Sequence, residues 1–236
     1  MISEEFIIKL AIKWQTSEIN VIREYVQHHF LASFYKEKQA NNLYFKGGTA
    51  LRIIYQSPRF SEDLDFTSII YSVTTIERLI EEALMQLSYS GIKIDITEAK
   101  PTTGGYFFNS KTRLFSRDIN IKLNFVFKKQ AKGEAKVIAS VFLPPYNLIS
   151  LEQKVLLYEK VTALLTRHKI RDYFDLYFIM RAYMGKEAIG DRIKEATKLI
   201  ERTNLDFKEL KQFLPKSFWP VVKDLKKNLL SELRRL

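Results

Sequence analysis

Apolar residues recur at helical spacing over residues 3–39. Phe6, Ile7, Leu10, Ala11 and Trp14 follow Ser3, and Ile19, Ile22, Val26, Phe30 and Phe34 follow Ser17. The i, i+3, i+4 intervals predict two helices with one buried face each, the second capped by Ser17. The pattern changes at 43. Leu43-Tyr44-Phe45 is a short apolar run, Gly47-Gly48 breaks it, and Thr49 to Tyr55 is helical until Ser57-Pro58. Asp63-Leu64-Asp65-Phe66-Thr67 alternates as a strand does, and Thr74 to Leu87 returns to helical spacing.

Residues 92–142 read as strands. Ile92, Ile94 and Ile96 alternate with polar residues, Gly104-Gly105 marks a turn, and Ile119 to Phe127 alternates without a break. Lys128 to Gly133 is a polar turn, followed by a strand from Val137 to Leu143. Pro144-Pro145 is the expected domain boundary, after which the pattern is helical to the end. Ser150 and Gln153 have capping-box spacing, and further helices are predicted near 170–183, 187–202, 206–213 and 217–234. The expectation is an α+β chain in three parts: N-terminal helices (1–40) packed on a core (41–144), then a helical domain (145–236).

Composition narrows the chemistry. The 236 residues include no cysteine and only His28, His29 and His168. That excludes disulfides, a thiol nucleophile, an Fe–S cluster and a thiolate zinc site. The pair His28-His29 is read as structural. The formal net charge is +11, unevenly laid out. Residues 1–99 carry 10 basic and 13 acidic side chains, a net −3; residues 100–136 carry 9 and 2, a net +7; the remainder carries 19 and 12, again +7. A polyanionic partner such as RNA fits this layout, as does a solvated basic surface. The segment Met1-Ile2-Ser3-Glu4-Glu5 places acids where a signal peptide carries Lys or Arg, and no apolar run approaches the ~20 residues of a membrane span. A cytoplasmic protein with no membrane partner is expected.

Three groups of residues carry candidate chemistry. Gly47-Gly48-Thr49, between a strand and a helix, lets backbone approach a phosphate, although a plain turn has the same composition. Asp63 and Asp65, two apart on a strand, point to one face. Two carboxylates so close repel unless a cation lies between them, which suits a hard divalent ion; two surface aspartates are the alternative. The 13 residues between Thr49 and Asp63 hold a helix and a loop. This length lets the chain return as a neighbouring strand, bringing glycines and carboxylates to one sheet edge. The third group runs from Lys160 to Asp175.

Together these residues resemble a known family. Phe45-Lys46-Gly47-Gly48-Thr49-Ala50-Leu51-Arg52 with Arg59-Phe60-Ser61-Glu62-Asp63-Leu64-Asp65-Phe66 is similar to the first signature of the AbiEii-type nucleotidyltransferase toxins, known from abortive-infection and toxin–antitoxin systems. Glu159-Lys160, Ala163-Leu164-Leu165, Arg167 and Arg171-Asp172-x-x-Asp175-Leu176 resemble the second. The helix before the first signature and the tryptophan-bearing C-terminal helices are similar too. The resemblance implies a polymerase-β-like nucleotidyltransferase core with a mixed sheet, followed by a helical domain. It implies that Gly47, Gly48 and Thr49 hold an NTP and that Asp63 and Asp65 bind Mg²⁺ or Mn²⁺. Lys160 would meet phosphate oxygens and Asp172 would complete the site. Arg59, Ser61 and Asp175 are read as residues that orient these groups. A tRNA 3′ end or other RNA is the implied acceptor, and a cognate antitoxin the implied partner. Lys128, Lys129 and Lys132 are candidate acceptor contacts.

One departure stands out. Such enzymes generally carry a third carboxylate on a neighbouring strand, but the outward residues of the 119–127 strand are Asn120, Lys122 and Asn124. Asn124 could act as a neutral oxygen ligand, or Asp118 or Asp95 could supply the acid. Two alternative functions therefore stay open: a binding module with a degenerate centre, and transfer to a small-molecule or protein acceptor. Arg167 and Arg171 are candidates to pair with Asp172 and Asp175, and Asp172 also suits the first turn of a helix on dipole grounds.

Overall fold

The computed structural model describes residues 2–182, 184, 190, 192–204, 206 and 208–235. Its first two helices, α1 (Glu4–Lys13) and α2 (Glu18–Phe34), start where serines can cap them. Ser3 Oγ accepts from the Phe6 N–H at 3.2 Å and Ser17 Oγ from the Asn20 N–H at 3.4 Å. Then come β1 (Leu43–Lys46), α3 (Gly47–Ile53), β2 (Asp63–Ser68) and α4 (Val73–Tyr89). Four more strands follow: β3 (Asp95–Thr102), β4 (Gly105–Leu114), β5 (Arg117–Phe127) and β6 (Gly133–Ile138). The last strand is β7 (Tyr146–Leu151).

Among the described residues these strands form one mixed sheet in the order β3-β4-β5-β2-β1-β7-β6. The pairs β2–β5 and β1–β7 are parallel and the others antiparallel. One face of the central strands is apolar. Leu64 and Phe66 of β2 and Leu123 and Phe125 of β5 are buried, with Phe66 stacked on Phe125 at 4.8 Å and Phe34 of α2 against both. Because side chains alternate along a strand, the residues between these point to the opposite face. That face carries Asp63, Asp65, Asn124 and Lys122. His28 on α2 is buried and shares a hydrogen bond with the Tyr146 hydroxyl at 2.8 Å, and burial pushes its pKa down to about 3. It is a neutral core residue.

Two strand placements differ from the sequence expectation. The strand predicted at Val137–Leu143 lies earlier, as β6. The segment expected to open a helix at Ser150 is instead β7, and the next helix starts at Gln153. Ser150 is fully buried and donates its hydroxyl to the Leu151 carbonyl at 3.0 Å, so it caps nothing. The reason lies in β1, whose four residues are all buried. Its second edge needs a hydrogen-bonding neighbour, since buried backbone groups left unpaired are costly, and β7 supplies it with Phe45 opposite Ser150.

Contacts divide the chain into two compact units. One takes the chain up to Gln56 and Phe60–Glu152; the other takes Ser57–Arg59 and the chain from Gln153 on. The second unit contains α5 (Gln153–Arg167), α6 (Ile170–Arg181), α7 (Arg192–Arg202), α8 (Trp219–Lys223) and α9 (Leu225–Arg234). Residues 183, 187–189 and 191 of the predicted 170–183 and 187–202 helices lie outside the described residues, as does 207 of the predicted 206–213 helix. The core of this unit includes Phe174, Leu210, Leu214, Val222 and Leu225. Lys226 Nζ donates to the carbonyls of Glu201 and Thr203, both at 2.9 Å, closing the end of α7. Among the described residues no helix is long and apolar enough to cross a membrane.

Candidate functional site

In the sheet unit, Asp63 and Asp65 are both half-buried on β2, while Leu64 between them is fully buried. The two carboxylates therefore share one face. On one flank stands β1, with the buried Lys46 opposite Asp65. On the other stands β5, with Lys122 opposite Asp63 and Asn124 opposite Asp65. The Asn124 amide donates to Asp65 Oδ1 at 3.0 Å, fixing that carboxylate.

The glycine turn closes against the same carboxylate. Gly47 has φ +83°, in the left-handed region, and a Cβ placed there would overlap Asp65 Oδ2. Both observations demand glycine. The Thr49 hydroxyl donates to the Asp63 carbonyl at 2.5 Å, tying the start of α3 to β2. Gly47→Ala is expected to lower stability by about 1–2 kcal/mol from the backbone conformation alone. Because the methyl group also displaces Asp65, nucleotide affinity should fall well beyond what that stability loss explains. Thermal unfolding and nucleotide titration of the variant check both parts.

Three further residues hold the entry to β2 and were not singled out from sequence. Gln27 Nε2 donates to the carbonyls of Ser61 and Glu62 at 3.0 and 3.1 Å. Arg23 pairs with Glu62 at 3.2 Å, and Asn20 Oδ1 accepts from Arg23 at 3.2 Å. The legible signal was that Asn20 and Gln27 are polar yet sit among the buried positions of α2.

The proposed sources of a third acid are distant. Asp118 lies four residues before Lys122 on β5 and faces Arg113 at 3.9 Å. Asp95 is on the edge strand β3, separated from β2 by β4 and β5. Among the described residues no group of three or more His, Cys, Asp or Glu could hold a metal. The carboxylate pair with its hard oxygen donors still suits one divalent cation, which binds through one or two carboxylates plus substrate phosphates. Lys128, Lys129 and Lys132 follow the far end of β5, where the Lys128 N–H bonds the Ser68 carbonyl. At ~3.3 Å per residue Lys128 is about 13 Å along the strand from Asn124.

In the helical unit, Arg59, Lys160 and Asp175 come together. Asp175 is fully buried; Arg59 donates to both its oxygens at 2.7 and 2.9 Å, and Lys160 Nζ donates at 2.7 Å. Burial pushes the Asp175 carboxyl pKa up. The Arg59 and Lys160 charges and their hydrogen bonds outweigh this and hold it well below the usual carboxylate range. Lys160 lies among Leu156, Leu157, Val161 and Leu164 on the buried face of α5. Asp172, in the first turn of α6 and 1% exposed, receives a two-pronged contact from Arg167 at 2.8 and 2.7 Å. Arg171 instead faces Glu209 at 3.9 Å.

A sequence profile described as "Nucleotidyl transferase AbiEii toxin, Type IV TA system" matches residues 29–235. The chain belongs to this family. It is therefore an AbiEii nucleotidyltransferase of toxin–antitoxin type. No curated protein sequence matches the chain significantly. Two solved structures share the fold. JHP933 from Helicobacter pylori superposes with a TM-score of 0.69 at 20% identity, covering 93% of this chain and 92% of that one. A candidate nucleotidyltransferase from H. pylori gives 0.66 at 20% identity, covering 93% and 95%. For this AbiEii chain the mixed sheet with its helices is thus the α+β nucleotidyltransferase fold expected from the sequence. The family match takes in both signatures, including the carboxylate pair on β2 and the Lys160–Asp175 segment.

Proposed function

We propose that this AbiEii enzyme moves a nucleotidyl group from an NTP to the 3′ hydroxyl of an RNA, such as tRNA, in the cytoplasm, as a toxin opposed by a cognate antitoxin. The observation that carries this reading is the carboxylate pair Asp63/Asp65 with the Gly47 backbone packed against Asp65. The Gly47-Gly48-Thr49 turn receives the triphosphate. Asp63 and Asp65 hold a divalent cation, Mg²⁺ or Mn²⁺, which when bound neutralises charge developing at the α-phosphate. The RNA oxygen attacks the α-phosphorus, a new P–O bond forms, and the bond to the bridging β-phosphate oxygen breaks. Pyrophosphate leaves with that electron pair. The hydroxyl proton passes to water, since β5 presents an amide at 124 and its one acid, Asp118, lies six residues away beside Arg113. Within the helical unit, Lys160, held by the Asp175 that Arg59 also grips, and Asp172 take the phosphate-facing and site-completing roles the family implies, while Ser61, two residues before Asp63, orients the β2 carboxylates.

A second reading, nucleotide binding without turnover, is favoured by one observation: Asn124 stands where a third carboxylate is usual. Titration of NTP with and without Mg²⁺, beside a transfer assay with total tRNA, separates the two. Wild-type protein that labels tRNA, with the label lost in Asp63→Ala, supports transfer; binding with no label from any NTP supports the module. Lys128, Lys129 and Lys132 would grip the RNA backbone away from the reacting end. Replacing all three by alanine should weaken tRNA binding about tenfold at low salt and flatten its salt dependence, with NTP affinity unchanged. Transfer insensitive to salt would point to a small-molecule acceptor.

A further inference from the structure

We propose that Lys122, with Lys111 beside it, binds backbone phosphates of the acceptor RNA and so sets the flank from which the attacking hydroxyl arrives. The inference deepens the RNA-acceptor reading and rests on it.

β2 has β1 on one side and β5 then β4 on the other. The glycine turn follows β1 directly and lies against Asp65 from that side. A triphosphate on the turn therefore places its leaving pyrophosphate on the β1 flank. In phosphoryl-type displacement the attacking and leaving oxygens lie roughly in line through phosphorus. The acceptor must then come in from the opposite flank, over β5 and β4.

That flank carries the right chemistry. Lys122 stands opposite Asp63 on β2 and opposite Asn109 on β4, so all three share one face. Lys111 is opposite Asn120, diagonal to Lys122 on the same face. Both lysines are exposed, and neither side chain forms an ion pair or hydrogen bond among the described residues. The lateral neighbours of Lys122 are two amides and one acid: Asn120 and Asn124 along β5, and Asp63 across. Asn109 adds an amide whose Oδ1 is buried without a hydrogen-bond partner. A lysine with ordinary surface partners would be read as solvated. One placed in the strand register of a reaction-centre carboxylate, on the side opposite the phosphate turn, is positioned for a polyanionic acceptor. The Lys128–Lys132 cluster, at the other end of β5, is too far along the strand to serve the reacting end.

The test compares wild type, Lys122→Ala, Lys122→Arg and Lys122→Ala/Lys111→Ala. It reads NTP affinity by titration with Mg²⁺, KM and kcat for total tRNA, and the salt slope of tRNA binding. The expected result for Lys122→Ala is an NTP affinity within twofold of wild type and a tRNA KM raised about tenfold. The log–log salt slope should be shallower by about 0.7, the value of one phosphate contact on a single strand. Lys122→Arg should restore KM, and the double variant should lower the slope further. A fall in NTP affinity with unchanged tRNA KM would overturn the proposal by placing Lys122 on the triphosphate. Unchanged values throughout would overturn it by returning Lys122 to solvent. Wild-type protein that labels no RNA would sink the RNA reading itself, an outcome distinct from either.

Discussion

Asp65→Asn is expected to reduce nucleotidyl transfer by on the order of 10³-fold while leaving the fold intact. The carboxylate charge is what the site needs: the amide cannot neutralise a divalent cation, and losing several kcal/mol of charge stabilisation costs tenfold in rate per ~1.4 kcal/mol. The shape, however, survives. Asn124 can still donate to the remaining side-chain oxygen at 65, and Gly47 still packs against an atom of the same size. Asp65→Ala is the less informative change, because it strands the Asn124 amide and opens a gap beside Gly47. Steady-state transfer with circular dichroism and thermal unfolding of the same preparation checks the prediction. Near-wild-type transfer by a well-folded Asp65→Asn would remove Asp65 from the chemistry.

The second large effect is structural. Asp175→Ala is expected to destabilise the helical unit by about 3–5 kcal/mol, because it leaves two buried cations, Arg59 and Lys160, without their shared partner. The pair Arg167–Asp172 should not behave alike, since Arg167 is half-exposed and keeps access to water. The same triad sets a pH dependence. The Asp175 pKa is lowered in the folded protein relative to ~3.9 in the unfolded chain, so the unfolded state binds the extra proton. The stabilisation is fully present above about pH 5 and is lost as pH falls through 4 toward the folded value. Denaturant unfolding at pH 7 and at pH 3 measures it, with Trp219 fluorescence read in a Trp14→Phe background to report the helical unit. A loss under about 1 kcal/mol at pH 7 for Asp175→Ala would mean the triad is not the fastener it looks to be.

Much of this architecture is legible in the sequence, and for physical reasons. Alternation at Asp63–Phe66 and Ile119–Phe127 identified the central strands because one face of each is core and the other is not. Strand β7 was not legible: Ser150 and Gln153 have the spacing of a helix cap, and only the need of buried β1 for a second hydrogen-bonded neighbour reveals the strand. The site shows the same division. Asp63, Asp65 and Gly47 are local features, two apart or in one turn, so the sequence places them. The donation of Asn124 to Asp65, the grip of Gln27 on the Ser61 and Glu62 carbonyls, and the capture of Lys160 by Asp175 depend on strand register and helix packing between residues 15 to 59 positions apart. Lys160 illustrates the difference most clearly: its place in the second signature is legible, but its ion pair with Asp175 and its 8% exposure are not.

The reaction proposed for the Asp63/Asp65 centre is transfer of a nucleotidyl group, with its α-phosphorus, from an NTP to RNA. Its most direct measurement uses each NTP in two forms, labelled at the α- or at the γ-phosphate, with total tRNA and Mg²⁺, and follows label in the RNA for wild type and Asp63→Ala. Nucleotidyl transfer puts α-label in RNA, γ-label only in released pyrophosphate, and neither in RNA with the variant. Label carried into RNA from the γ-position, or equal α-labelling by Asp63→Ala, would contradict it.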